Sequence, residues 1–460
     1  MADKQHVEAV VRQVMERMSG APPKMDPAVD DAVTKAQRAF VALNGLSLEA
    51  RHCIIDAMRA AAKAHVQELA NQAVAETGLG RVEDKIKKNL LVTVKTPGPE
   101  ILEPKARSGD RGLMLMERAP FGVIGSIIPT TNPTETIINN AISMISGGNA
   151  VAFNAHPSAK RCSARCVEIL NEAIVAAGGP ANLLTCVADP TIKTAQALMR
   201  HPGVALLCVT GGPAVVREAM LSGKKVIAAG PGNPPAVVDE TADIAVAAKS
   251  IVAGASLDNN IVCIAEKVVV AVHSIVDELK RAMIAEGCVE VTGNDIERLC
   301  NVIFESRKGN HVVIAKNCVG KNAGVILNQI GIKAGPEVRL AIMEVERDHP
   351  LAWTEQLMPV MPIVRVKDVD EAIDLALQYE GGRRHTATMH SRNIEKLSTM
   401  ARLVNCSIFV KNGPTFAGLG MGGEGYTSFT IASPTGEGLT TAINFTRERR
   451  CTLVDSFRIV

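Results

Sequence analysis

Aromatic side chains are scarce in this chain, 3% of 460 residues with a single Trp and two Tyr, which excludes the stacking platforms used on single-stranded nucleic acid or sugars. Net charge is scarce as well. Lys plus Arg (50) nearly cancels Asp plus Glu (48) and leaves +2, so a polyanion such as nucleic acid is excluded as the main partner. No apolar run approaches the roughly 18 residues of a membrane span. The first twenty residues, MADKQHVEAVVRQVMERMSG, have neither the apolar stretch nor the small-residue cleavage site of a secretory signal. There is no CxxC pair and no Cys/His spacing of a zinc site. The eleven cysteines, an odd number spread from Cys53 to Cys451, read as reduced thiols in a cytosolic-type compartment.

What is present is apolar and long. At 47% hydrophobic residues the chain can bury a large core, and its length exceeds a single ordinary core, so two or three units are expected. Val7, Val10, Val11, Val14, Met15 and Met18 recur at steps of three and four and form one face of a helix. Ser19–Pro23 then ends it and makes a stiff linker. Such a helix either docks back on the body or an oligomer partner, or lays its apolar face into a groove on another protein.

Helical patterns dominate from Pro27 to about Lys88. Beyond them strand and helix alternate: FGVIGSIIP, NAVAFNA, LLTCVAD and VALLCVTGG are short apolar strands separated by amphipathic helices. This rhythm predicts an α/β fold with a parallel sheet covered on both faces and ligands beyond the carboxyl ends of its strands. It restarts at VIAAGPGNPPAVVDETADIAVAAKSIVAG, which puts a boundary between two α/β domains near Pro235. The tail from Thr427 reads as extended strand, and such a terminal strand suggests oligomerisation.

Two glycine strings differ in meaning. GLGMGGEG, Gly418 to Gly425, matches G-x-G-x-x-G but opens no helix inside a βαβ unit, so it is expected to be a mobile loop near the active site rather than a dinucleotide fingerprint. VTGGP, Val209 to Pro213, sits between a strand and a helix and places free amides at a helix N-terminus, where a pyrophosphate can sit. The nine residues NNIVCIAEK put Cys263 between an apolar pair and a charged pair, although a free cysteine is by default a small buried hydrophobe.

IIPTTNPTETIINN, SGGNAVAFNAHPSAK, VTGGPAVV, AAGPGNPPAVVDETADI, NNIVCIAEK, EQLMPVMPIV and FVKNGP follow one another in this order. Together they resemble the aldehyde dehydrogenase superfamily, and most closely its CoA-acylating branch, the propionaldehyde and acetaldehyde dehydrogenases of bacterial microcompartments. The resemblance runs from about residue 27 to the C-terminus, and the leading helix is similar to those enzymes' encapsulation peptide. It implies an aldehyde dehydrogenase-like fold: encapsulation helix 1–20, linker 21–26, Rossmann-type NAD/CoA-binding domain 27–235, α/β catalytic domain 236–431 and C-terminal oligomerisation strand 432–460 in a homodimer or homotetramer.

The resemblance also implies roles. Cys263 falls at the family's nucleophile, which attacks the aldehyde carbon, and Asn132 at the amide that meets the developing oxyanion together with the Cys263 N–H; the alternative for Asn132 is a plain helix cap. Thr210, Gly211 and Gly212 match the turn facing the cofactor pyrophosphate, Glu355 the carboxylate on the nicotinamide ribose, and Thr130, His156, Pro157 and Gly232 further cofactor positions. The family's water-activating glutamate is replaced by Ala229, which cannot take a proton, so coenzyme A is expected to receive the acyl group. The usual adenosine-side lysine is missing around Asn154 and His156, which favours NAD over NADP.

The expected activity is oxidation of propionaldehyde, or acetaldehyde, to its acyl-CoA by a cytoplasmic enzyme held in a microcompartment by shell or core proteins, with no nucleic-acid, membrane or metal partner. A hydrolytic dehydrogenase or a non-catalytic scaffold are the alternatives. Glu266, His385 and His390 receive no assigned chemistry, although Glu266 would share a helix face with Cys263 if that segment were helical.

Overall fold

The computed structural model describes residues 25–460 apart from 309–310. The amphipathic N-terminal helix and most of its linker lie outside the described residues. Helix α1 (Pro27–Asn44) starts where the Asp26 side chain accepts from the Ala28 and Val29 amides, at 3.0 and 3.3 Å, with Pro27 in the first turn. Its stripe Val29, Ala32, Val33, Ala36, Ala39 and Leu43 is buried, as its three-and-four spacing requires. Helices α2 (Leu48–Ala64), α3 (Val66–Thr77) and α4 (Val82–Lys95) follow.

A five-stranded sheet comes next, from β3 (Val123–Ile127), β4 (Ala150–Asn154), β5 (Leu184–Cys186), β6 (Leu206–Thr210) and β7 (Lys225–Ala229). Its order is β5-β4-β3-β6-β7 and every pairing is parallel. Helix α5 (Pro133–Ser146) crosses from β3 to β4, α6 (Lys160–Ala176) from β4 to β5, α7 (Ile192–Arg200) from β5 to β6 and α8 (Pro213–Met220) from β6 to β7. Strand β3, buried along its whole length, lies where the order reverses, the place where open α/β sheets bind ligands.

A second sheet of seven parallel strands begins with β8 (Pro235–Val238), followed by α9 (Ile244–Ser256) and β9 (Val268–Val272). Strands β10 (Cys288–Glu290), β13 (Leu340–Glu344), β14 (Val360–Val366), β15 (Thr386–His390) and β16 (Ile408–Lys411) complete it in the order β10-β13-β14-β9-β8-β15-β16. Val268 to Val272 is buried throughout, the continuous apolar run of a strand covered on both faces. Each sheet nucleates its own hydrophobic core.

Reading the sequence misses a hairpin, β1 (Lys105–Gly109) and β2 (Gly112–Pro120): β1 is polar and exposed, and the short apolar run Leu113–Met116 of β2 is only half-buried. The terminal strand β19 (Thr446–Val454) pairs with β2 of its own chain over nine residues, and all of it beyond Thr446 is exposed.

Between α9 and β9 the backbone takes an unusual path. Asp258, Asn259 and Asn260 have φ of 49°, 54° and 65°, three successive left-handed residues, and all three are buried. Asp and Asn tolerate this region better than other side chains, yet each such residue costs on the order of 1–3 kcal/mol and persists only where its surroundings over-determine it. Here they do. Asp258 accepts from the Arg81 N–H at 2.7 Å and from the Lys85 and Lys88 ammonium groups at 3.0 and 2.5 Å, while Asn259 Nδ2 donates to the Gly320 carbonyl and Asn260 Nδ2 to the Ala255 and Glu266 carbonyls. Burial alone would raise the Asp258 pKa, but the two lysines outweigh it and the carboxyl is held below the usual carboxylate range. Replacing Asp258 by Ala leaves the buried Lys85 ammonium without its ion-pair partner and Lys88 with Glu135 alone, and D258A is expected to lose about 3–5 kcal/mol, measured as a fall in the urea midpoint; an unchanged midpoint would mean the turn does not depend on this charge.

Candidate active site

A cavity of about 730 Å³ opens at the carboxyl ends of β3, β4, β6 and β7 and is closed on its far side by the turn after Asn260. All eleven cysteines are among the described residues, and Cys263 alone among them lines this cavity. The segment around it is not helical, so Glu266 does not share a helix face with it. Burial pushes the Cys263 thiol up to about 12 and the Glu355 charge adds to this, while Lys267 and Lys88 oppose it. A raised pKa does not single it out, because Cys162 and Cys208 are also pushed to about 12 by burial. Access to the cavity does.

Lys267 is buried beneath the cysteine loop, where its ammonium donates to the Asn260 carbonyl at 2.7 Å and the Val262 carbonyl at 3.3 Å, and also to the Asn260 side chain. Burial draws its pKa down to about 8. This lysine therefore pins the strained turn to the peptide that carries the nucleophile.

Asn132 lies at the start of α5, on the cavity wall, but its side chain makes no capping bond. Its Oδ1 instead accepts from Lys88 Nζ at 2.5 Å. The cavity thus has an amide on one side and, on the other, a cysteine whose own N–H donates to no backbone carbonyl among the described residues. These are the donor types that an oxyanion needs.

The cofactor candidates gather at the other end. Thr210, Gly211 and Gly212 line the cavity at the end of β6, with Gly212 capping α8 and Pro213 in its first turn. Thr210 Oγ1 is buried with no partner, which leaves a polar group there for a ligand to satisfy. Thr130, His156, Pro157 and Glu355 are also on the wall. His156 is exposed at the rim and its Nδ1 accepts from the Ser158 N–H at 3.1 Å. Asn154 Oδ1 accepts from the Thr194 hydroxyl at 2.7 Å.

Gly232 does not line the cavity. It lies behind the nucleophile, where a Cβ would come within 2.7 Å of the Cys263 carbonyl and 3.0 Å of the His385 ring, and its N–H donates to Glu355 at 3.2 Å. Its N–H thereby helps to set the carboxylate. Burial raises the Glu355 pKa.

Three residues without assigned chemistry now have surroundings. His385 is buried with its Nδ1 2.8 Å from the Thr386 hydroxyl and its Nε2 unpartnered, and His390 is buried with neither ring nitrogen bonded; burial pushes both down to about 4, so both are neutral. Glu266 accepts from the Thr415 N–H and hydroxyl at 2.8 and 3.0 Å. It ties the cysteine loop to the segment leading into the glycine string, which Lys95 holds by the Gly420 and Gly423 carbonyls. The glycine string is thus tied down just ahead of its start and within its length.

The family profile described as aldehyde dehydrogenase matches residues 2–441. The chain belongs to the aldehyde dehydrogenase family. It is 50% identical to the acetaldehyde dehydrogenase (acetylating) EutE of Salmonella typhimurium over all of both chains. It is 44% identical to the propanal dehydrogenase (CoA-propanoylating) of Citrobacter freundii, covering 98% of this chain and 99% of that one. A crystal structure of Rhodopseudomonas palustris propionaldehyde dehydrogenase with bound CoA and an acylated cysteine superposes with a TM-score of 0.90 at 46% identity, over 93% of this chain and 97% of that one. In this aldehyde dehydrogenase the residues that reading the sequence misses are Lys85, Lys88, Asp258 and Lys267, the charges beneath the site.

Burial raises the Glu266 carboxyl from 4.5 to about 7. Because the folded value lies above the unfolded one, its contribution to stability is fully present below the unfolded pKa and is lost as pH rises through the folded one. The neutral variant E266Q is therefore expected to gain melting temperature relative to the native protein between about pH 5 and pH 8. A difference in melting temperature that does not vary with pH would contradict the raised carboxyl.

Proposed function

We propose that the protein is an NAD-dependent, CoA-acylating aldehyde dehydrogenase acting on short aldehydes, with propionaldehyde first and acetaldehyde second. The observation that carries this is the pairing of a cavity-facing Cys263 with Ala229, which ends β7 on the same wall and offers no proton acceptor. The Cys263 thiolate adds to the aldehyde carbon, and the oxygen takes the negative charge between the Asn132 amide and the Cys263 N–H. Glu355, the one carboxylate on the wall among the described residues, is proposed to take the thiol proton. Collapse of the thiohemiacetal restores the carbonyl and expels the hydride, leaving a thioester on Cys263. When bound, the nicotinamide supplies the hydride acceptor.

The residues fit that group. The unpartnered Thr210 hydroxyl and the amides at the start of α8 suit a pyrophosphate, and Glu355 suits ribose hydroxyls. At the end of β4 stand Asn154, which bonds Thr194, and His156 rather than a lysine, which supports NAD over NADP. With no water-activating carboxylate at Ala229, the acyl group leaves by exchange with CoA: the CoA sulfur bonds the acyl carbon as the Cys263–acyl bond breaks, and the proton of the CoA thiol ends on the Cys263 sulfur, which returns the thiol.

Short reactive aldehydes give a reason to confine such an enzyme, and the N-terminal helix is proposed to attach it to shell or core proteins of a microcompartment. Among the described residues no helix is long and apolar enough to cross a membrane. The exposed edge strand β19 supports a homo-oligomer.

The test is NADH formation from propionaldehyde and NAD with and without CoA. One turnover per active site without CoA, continuous turnover with it and propionyl-CoA as product are expected, and C263A should lower the rate at least about a thousand-fold. Continuous turnover to propionate without CoA would overturn the acylating assignment.

A further inference from the structure

We propose that Lys88 is a positioning residue that sets the Asn132 amide for catalysis and couples it to the turn carrying the nucleophile. Lys88 lies on α4, outside both sheets, and is fully buried. Its ammonium donates to Asn132 Oδ1 and to Asp258 Oδ2, both at 2.5 Å, and lies 3.0 Å from Glu135 Oε1 as an ion pair. An ammonium has three donors and no acceptor. The Asn132 atom facing it must therefore be the carbonyl oxygen, and the amide nitrogen is turned the other way, where Thr131 Oγ1 takes one of its hydrogens at 3.2 Å. The second hydrogen is left for the cavity that Asn132 lines.

The opposite rotamer would bring the NH2 group against a cation and lose a charge-assisted bond in a buried site. Glu135 and Asp258 keep the ammonium charged in spite of its burial, and its pKa is raised above the ordinary lysine value. Asp258 is also the first residue of the left-handed turn that leads to Cys263. One side chain thus fixes the oxyanion donor on α5 and the start of the nucleophile's loop, two elements more than a hundred residues apart in sequence.

This inference rests on the reading of Asn132 as an oxyanion donor, and a double-mutant cycle separates the two. The single-turnover rate of NADH formation is measured for K88M, N132A and K88M/N132A, with the KM for NAD and far-UV circular dichroism as controls. Loss of one such donor typically costs about 10²–10³ in rate. K88M is expected to approach the N132A rate with the NAD KM within about twofold, and the double variant is expected to be no more than about threefold slower than N132A. Losses that multiply, or a K88M rate equal to the native one, would overturn the role of Lys88. A native rate in N132A would instead overturn the oxyanion reading itself. Should K88M not fold, the charge-balanced K88M/E135Q takes its place in the same cycle. If neither folds, Lys88 serves the fold and the positioning role falls.

Discussion

Three consecutive left-handed residues, Asp258 to Asn260, are the constraint on which the site depends. Without that turn the chain leaving α9 would continue past the cavity, and Cys263 would have no reason to face it. The turn is costly in backbone terms and is held by groups drawn from distant segments: Lys85 and Lys88 on α4, Lys267 after the nucleophile, and the Gly320 carbonyl. Buried charges of this kind add little net stability over an apolar core, but breaking one partner is expensive. Their effect is to leave one geometry open to the loop.

The same charges give the site its electrostatics. Desolvation and Glu355 disfavour the thiolate while Lys267 and Lys88 favour it, so the nucleophile is strongly basic at rest and its reactivity depends on what fills the cavity. Backbone amides, the Asn132 and Asn154 side chains and the unpartnered Thr136 and Thr210 hydroxyls supply much of the polar wall. A chain with few aromatic residues can bind a dinucleotide in this way, because recognition falls to main chain and aliphatic surface.

Much of the fold was legible from periodicity. The strands FGVIGSIIP, NAVAFNA and VALLCVTGG appear as β3, β4 and β6, since buried parallel strands are short apolar runs between turn signals. The hairpin β1–β2 was missed: β1 is polar and exposed, and the short run Leu113–Met116 in β2 stops at the charged pair Glu117 and Arg118. Cys263 and Asn132 emerged from motif order rather than local pattern, for nothing in the pentad IVCIA separates a nucleophile from a core cysteine. The buried lysines stayed hidden for a physical reason. In EDKIKKN, charges at helical spacing look like a solvated face, and only the fold brings Asp258 and Glu135 over them. A constraint on Gly232 that no sequence pattern shows is that its missing Cβ makes room for the Cys263 carbonyl.

The central claim is that the acyl group waits on Cys263 because nothing at position 229 activates water. The lifetime of the acyl-enzyme measures this directly: the enzyme is mixed with propionaldehyde and NAD without CoA, and the acylated Cys263 peptide is followed by mass spectrometry in the native protein and in A229E. The account predicts a propionyl group that persists on the native cysteine until CoA is added, and that is released faster as propionate in A229E. A native acyl-enzyme that discharges to propionate unaided, as fast as it does with CoA, would contradict it.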